Sequence, residues 1–329
     1  MAGIETYWYR TSPLHLILIP ASWLFGLLAA LRRALYRLNI LKRHQLPVPV
    51  IVIGNISVGG TGKTPLTLAI AQALVDHGYQ PVIVSRGYGG TLQQHAVTSD
   101  STAQQAGDEP LLMARRGICP VWVGRDRVAT AQAALKVHPL CDVILCDDGL
   151  QHYRLQREVE IVVVDGVRRF GNGHLLPAGP LREPVTRLNS ADAVVINSGK
   201  TDNNQYFMKL FGQIFYQLLH PENTATAADL QGLRLHAVAG IGHPQRFFDH
   251  LNSLKLDIIP HAFADHHPYT ADELAYPECD ALLLTEKDAV KCAAFADERY
   301  WVLRVDALIE PALIEHLLRK IALHGRKTA

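Results

Sequence analysis

Residues 48–65 read Val-Pro-Val-Ile-Val-Ile-Gly-Asn-Ile-Ser-Val-Gly-Gly-Thr-Gly-Lys-Thr-Pro. The run from Val48 to Ile53 is rich in β-branched residues and reads as a short strand. It breaks at Gly54-Asn55 and ends in Gly59-Gly60-Thr61-Gly62-Lys63-Thr64. Strand, glycine-rich loop and helix, in that order, is the context of a phosphate-binding loop. Glycines let successive N–H groups curl inward onto phosphate oxygens, and the helix that follows adds its positive N-terminal end. Ser57, Val58, Gly59, Gly60, Thr61, Gly62, Lys63 and Thr64 are therefore the candidate ATP-binding residues. Lys63 would reach the β- and γ-phosphates, and the Thr64 hydroxyl would sit on Mg²⁺. Ser57 stands where the general pattern G-x-x-x-x-G-K-[ST] has its first glycine, and it is small enough to be tolerated. A glycine-rich turn with a chance Gly-Lys-Thr is the competing reading.

Downstream, apolar periodicity from Pro65 to His77 predicts a helix with a stop at Gly78. Pro81 to Val84 predicts a second strand, ending in Ser85-Arg86-Gly87-Tyr88-Gly89-Gly90, where Arg86 and Tyr88 suggest substrate or phosphate contact. After a polar stretch, Gly107-Asp108-Glu109-Pro110 opens a helix through Arg116; acidic residues there also suit a helix N-terminus electrostatically. A strand at 121–123 leads to Gly124-Arg125-Asp126-Arg127 and another helix. The apolar run Val143 to Cys146 then ends in Asp147-Asp148, as a Walker B strand does when it presents carboxylates to Mg²⁺. An ordinary Asp-Gly turn is the alternative there. Strands at 160–164 and 193–197 bracket residues 170–184, whose glycines and prolines exclude regular structure and suggest a functional loop or lid. Arg182 lies at its far end. Strands alternating with helices imply a mostly parallel α/β sheet with crossover helices.

Residues 13–31 form an almost wholly apolar stretch of about bilayer length. Arg32, Arg33, Arg37, Lys42 and Arg43 follow it, suited to anionic lipid on the cytoplasmic side. A membrane-associated helix is the expectation, against a buried core helix or a cleaved signal peptide. The whole chain of 329 residues carries a formal charge of only +1, which implies no general nucleic-acid affinity. Cysteines 119, 141, 146, 279 and 292 form no CxxC pair and read as reduced thiols. Residues 221–229 look like a domain link. Beyond it, strands at 234–239, 281–284 and 301–305 predict a smaller α/β unit. Within that unit, Phe263-Ala264-Asp265-His266-His267 offers one catalytic or orienting histidine, since adjacent histidines on a strand point to opposite faces. The expected partition is 1–45 for the apolar helix and basic flank, 46–222 for the P-loop core and 230–329 for the C-terminal unit.

The motifs GNISVGGTGKTP, SRGYGG, GDEP, GRDR, DDGLQH, GNGHLLPAGPLREP, FADHH and TEKDAVK occur in an order that resembles the tetraacyldisaccharide 4′-kinase family of lipid A biosynthesis. The resemblance covers essentially the whole chain. It implies transfer of the ATP γ-phosphate to the 4′-hydroxyl of tetraacyldisaccharide 1-phosphate, with attachment to the cytoplasmic face of the inner membrane and no obligate protein partner. Carried over by motif, Asp108 is the candidate base, His266 its partner and Lys63 the phosphate contact. Thr64 with Asp147 or Asp148 completes the Mg²⁺ site. Arg86, Tyr88, Glu109, Arg125, Gln151, His152 and Arg182 would line the acceptor or phosphate cleft. A membrane-docked P-loop ATPase or switch, hydrolysing ATP without a lipid acceptor, is the alternative from another class.

Overall fold

The computed structural model describes residues 7–9, 14–202 and 204–323. Helix α1 (Leu14–Arg37) lies outside the two sheets that organise the rest. The first sheet takes up β1 (Val50–Gly54), β2 (Pro81–Ser85), β3 (His95–Val97), β4 (Val121–Val123), β5 (Val143–Asp147), β6 (Val159–Asp165), β7 (Ala193–Asn197) and β8 (Tyr206–Phe211). The second takes up β9 (Ile214–Gln217), β10 (Thr224–Thr226), β11 (Leu235–Ala239), β12 (Ile258–Ala262), β13 (Ala281–Thr285) and β14 (Tyr300–Leu303). The chain then returns to the first sheet as β15 (Asp306–Ile309). The strand orders are β15-β8-β7-β6-β1-β5-β2-β4-β3 and β10-β9-β14-β13-β11-β12. In the larger sheet only β3 and β15, at its two edges, pair antiparallel.

β1 is buried on both faces because it sits between parallel neighbours, β5 and β6, under two helical layers. Its alternate side chains go to different cores. Ile51 and Ile53 pack with Leu66 and Ile70 of α2 (Lys63–Asp76), and with Leu313 and Leu317 of a C-terminal helix, 311–322. Val50 and Val52 pack with Val128, Ala131 and Ala134 of helix 127–137. This arrangement explains the unbroken apolar run in the sequence, and it leaves the glycine-rich loop at the carboxyl end of the sheet's centre. That is the topological switch point where open α/β sheets bind ligands.

Sheet membership divides the chain differently from the expected break at residues 221–229. β10 lies inside that stretch, hydrogen-bonded to β9, while β15 and the last helix belong to the first sheet. The polar Thr-Ala-Thr of β10 is an edge strand with alternating exposure, which is why its composition resembles a linker. The sequence pattern does not mark strand β8, nor β3 and the short helix 103–106 within the polar stretch. The expected strand 301–305 ends at Leu303, and Arg304 and Val305 carry the chain to β15, which begins at Asp306. Arg116 fastens that crossing, bonding Glu286 of the second lobe at 2.8 Å and Asp306 at 2.8 Å.

α1 presents most of its surface outward: Trp23 is 73% exposed, and Leu16, Ile17, Leu24, Leu27 and Leu28 are exposed with it. The buried-core reading of this segment therefore fails. The helix over residues 15–37 is long enough, and over an 18-residue window of mean hydropathy 1.6 apolar enough, to cross a membrane. The inward face carries His15 and Ser22.

Candidate active site

The phosphate loop is shaped from below and from the side. Gly62 takes φ +94° as the N-cap of α2, and a side chain there would strike Asn197 Nδ2 at 2.6 Å. Both the left-handed backbone and the lack of space require glycine. Asn197, at the end of β7, donates from Nδ2 to Thr61 O at 3.0 Å. Asn55 donates to Gly59 O at 3.3 Å, and Arg168 to Gly60 O at 2.7 Å. Loop carbonyls are thus turned outward onto side chains. Val58, placed in the nucleotide set by sequence, instead donates its amide to Pro180 O at 2.8 Å, and Ser57 pairs with Leu181. These two residues fasten the loop from outside.

β5 delivers Asp147 and Asp148 beneath Lys63. Lys63 Nζ lies 3.6 Å from Asp148 Oδ1, and Arg182 Nη1 lies 3.3 Å from the same oxygen. Burial works to raise the Asp148 pKa, but Lys63, Arg182 and Arg127 outweigh it and hold the carboxyl below its ordinary range. Among the described residues Asp147 makes no ion pair, and Lys63 acts on it only from a distance. Fully buried, Asp147 accepts from Thr67 Oγ1 at 3.2 Å and Ser85 Oγ at 3.4 Å. Burial first, then the charges of Glu109 and Asp148, push its pKa up, against Lys63 and the bond from Thr67. Two adjacent carboxylates of opposite tendency, facing a helix N-terminus, make a place for both a phosphate and a cation.

The other half of the cleft crosses between lobes. Asp108 opens helix 108–115, buried beside the carboxyl ends of the first sheet. His266, on the loop after β12, brings Nδ1 to 2.9 Å from Asp108 Oδ2, across 158 positions of sequence. Lys287 Nζ stands 3.3 Å from the other ring nitrogen, 2.8 Å from Asp265 and 3.7 Å from Glu109. An ammonium has only donors, so Nε2 of His266 must accept and the ring proton must sit on Nδ1, pointing at Asp108. Burial works to lower the Lys287 pKa, yet Glu109, Asp265 and Asp108 raise it above the usual lysine value. The chain Lys287–His266–Asp108 is thereby oriented, with the aspartate left as an acceptor. Tyr88 lies against His266, with ring centroids 5.3 Å apart.

These two halves adjoin. A side chain added at Gly242 would come within 3.6 Å of both Gly60 N and Asp265 Oδ2. On the flank opposite Asp108, Arg246 of helix 244–253 bonds Asp165 at 2.7 Å. Asp165 also holds Arg168, and the paired arginines and backbone N–H groups, against burial, keep its pKa down at about 2. The second lobe therefore clasps the loop at two carboxylates, Asp108 and Asp165.

Sequence reasoning missed Lys287, Asn197, Asp165, Arg168 and Arg246. Lys287 sits in a motif the sequence presents plainly, TEKDAVK, but its role depends on His266 and Asp265 on another loop of its own lobe and on Glu109 of the first. Asn197 carried a usable signal, being the polar last residue of an apolar strand. Arg86, Tyr88 and Arg125 line one pocket of about 280 Å³ together with three glycines. Gln151 and His152 lie elsewhere. Gln151 bridges Asn55 O at 3.2 Å and Glu183 at 2.7 Å. His152 is surrounded by cations: burial, then Arg127, with Arg157 and Arg32, depress its pKa to about 4 despite Asp126.

A neutral His152 has a consequence for stability. Its folded pKa lies below the unfolded value of 6.5, so its contribution is fully present above pH 6.5 and is lost as pH falls towards about 4. His152→Gln is expected to flatten that part of the pH profile. Melting temperatures of both proteins from pH 7.5 to 4.5 check this; parallel curves would contradict it.

A parallel sheet, a Gly-Lys-Thr loop on its central strand and a carboxylate pair beneath it define a P-loop nucleotide-binding protein. An aspartate held by a histidine of the second lobe faces it across the cleft. The family described as tetraacyldisaccharide-1-P 4′-kinase matches residues 14–322, and the chain belongs to it. A tetraacyldisaccharide 4′-kinase of Methylobacillus flagellatus is 49% identical over 97% of this chain and 95% of its own. One of Azoarcus sp. is 47% identical, covering 100% and 98%. A crystal structure described as an "apo" form LpxK from Aquifex aeolicus in complex with ATP superimposes with a TM-score of 0.79 at 28% identity, covering 94% of this chain and 99% of that one. The chain is a kinase of this family.

Proposed function

We propose that this protein transfers the γ-phosphate of ATP to the 4′-hydroxyl of tetraacyldisaccharide 1-phosphate, forming lipid IVA and ADP, at the cytoplasmic face of the inner membrane. The observation that carries the reading is the contact between Asp108 and His266 across the two lobes, beside the phosphate loop. In this reading Asp108 takes the proton of the acceptor hydroxyl, and His266, oriented by Lys287, holds the carboxylate in place. Lys63, the loop amides and the N-terminus of α2 receive the triphosphate. Arg86, Tyr88 and Arg125 line the acceptor side, and Arg182 stands with Lys63 over Asp148.

Thr64, Asp147 and Asp148 fit a Mg²⁺ ion. They are hard oxygen donors, and Asp147 is a buried carboxylate that makes no ion pair among the described residues. Among the described residues no three His, Cys, Asp or Glu side chains form a metal site by themselves, so nucleotide oxygens would complete the shell. When bound, the ion would neutralise phosphate charge. The outward apolar face of α1 and the basic residues that follow it suit a cytoplasmic-face lipid surface. No general role for nucleic acid or an obligate protein partner is proposed.

The reading is tested by measuring ATP consumption with and without an acylated disaccharide 1-phosphate in detergent micelles. Consumption that requires the lipid supports it. Lipid-independent hydrolysis that responds to a protein partner would favour an ATPase or switch.

A further inference from the structure

Residues 174–183 run between α1 and the phosphate loop and touch both. On the helix side, Ser22 Oγ donates to Leu175 O at 2.8 Å and accepts from Ala178 N at 2.9 Å. One turn further along α1, a side chain at Gly26 would meet the tip of the Leu175 side chain, Cδ1, at 2.6 Å, so this strap residue packs against the helix there. Trp8 adds a bond from its ring nitrogen to Pro177 O at 3.0 Å. On the loop side, Pro180 O accepts from Val58 N at 2.8 Å, and Arg182 N donates to Ile56 O at 2.7 Å. Ser22 is only 3% exposed on a helix whose other faces are bare.

Polar contacts on an anchoring helix need an explanation beyond anchoring. Insertion into lipid asks only for an apolar surface, and a buried hydroxyl serving two backbone groups is costly to disrupt. We propose that Ser22 and Gly26 are positioning residues for the nucleotide site: through the strap 174–183 they set the conformation of the phosphate loop, so the membrane-associated helix and ATP binding are coupled. Ser22 fixes the strap in register by bonding both sides of its Leu175–Ala178 turn. Gly26 allows the close approach. The strap in turn holds Val58 and Ile56, the residues that lead from β1 into the loop. This rests on the kinase reading above only for its kinetic arm.

The test uses the full chain in vesicles of phosphatidylethanolamine and phosphatidylglycerol. Ser22→Ala removes both bonds without adding bulk, Gly26→Leu pushes the strap away, and Ser22→Thr retains the hydroxyl. Hydrogen exchange across residues 54–60 is read first, because it needs no turnover and stands even if the lipid reaction fails. The two disruptive variants are expected to speed exchange there and to raise KM for ATP roughly tenfold. Vesicle partition should stay unchanged, and Ser22→Thr should approach wild type. Exchange in 54–60 equal to wild type in both variants would overturn the coupling. So would a change in vesicle partition alone. Should Gly26→Leu fail to fold, Ser22→Ala decides the matter by the same exchange measurement.

Discussion

Lys63→Ala is expected to lower turnover with ATP by roughly 100- to 1,000-fold, the range seen when one preorganised donor to developing charge is removed. Lys63 is the first residue of α2 and lies 3.6 Å from Asp148. It is the side-chain cation best placed to follow charge on the transferring phosphate, and the loop amides cannot move to replace it. The fold should survive. Asp148 keeps Arg182 at 3.3 Å, so no carboxylate is left wholly unpaired. Steady-state kinetics, with a melting curve as control, measure the effect. Normal turnover would remove the assignment of this loop to phosphate.

Asp108→Ala separates binding from chemistry. Asp108 is not part of the phosphate loop, and its bonding partner is His266 of the second lobe. ATP affinity should therefore remain close to wild type, while turnover falls roughly 100- to 10,000-fold, the contribution expected of a positioned base. His266→Gln should give a smaller loss, since the carboxylate stays and only its orientation relaxes. Calorimetric ATP binding set beside kinetics distinguishes the outcomes. Abolished ATP binding in Asp108→Ala would show that the residue shapes the nucleotide site instead.

The parts of the fold that could be read from the sequence were those where local pattern and tertiary position agree. β1, β2, β5, β6 and β7 are central parallel strands, and their unbroken apolar runs announce burial on both faces. The edges were harder. β10 has the composition of a linker, and β8 and β15 pair with each other after the chain has visited another sheet. No local signal encodes that return. The same division holds in the site. The phosphate loop and Asp147-Asp148 are contiguous and carry their chemistry in their order. The clasp of Arg246 on Asp165, and of His266 on Asp108, exists only once the second lobe is laid over the first. Residues 170–184 had been expected to be a loop or lid. They are indeed irregular, but they are tied to α1 and to the phosphate loop by backbone bonds, which gives them a supporting role.

The proposed reaction is phosphoryl transfer to a lipid hydroxyl from a nucleotide held by Gly59 to Thr64. Its most direct test follows the label from γ-³²P-ATP in the presence of tetraacyldisaccharide 1-phosphate and Mg²⁺. Label is expected on the lipid at the 4′-position, with one ADP formed for each lipid labelled, and is expected to be lost in Asp108→Ala. Label appearing only as free phosphate, at the same rate with and without the lipid, would contradict it.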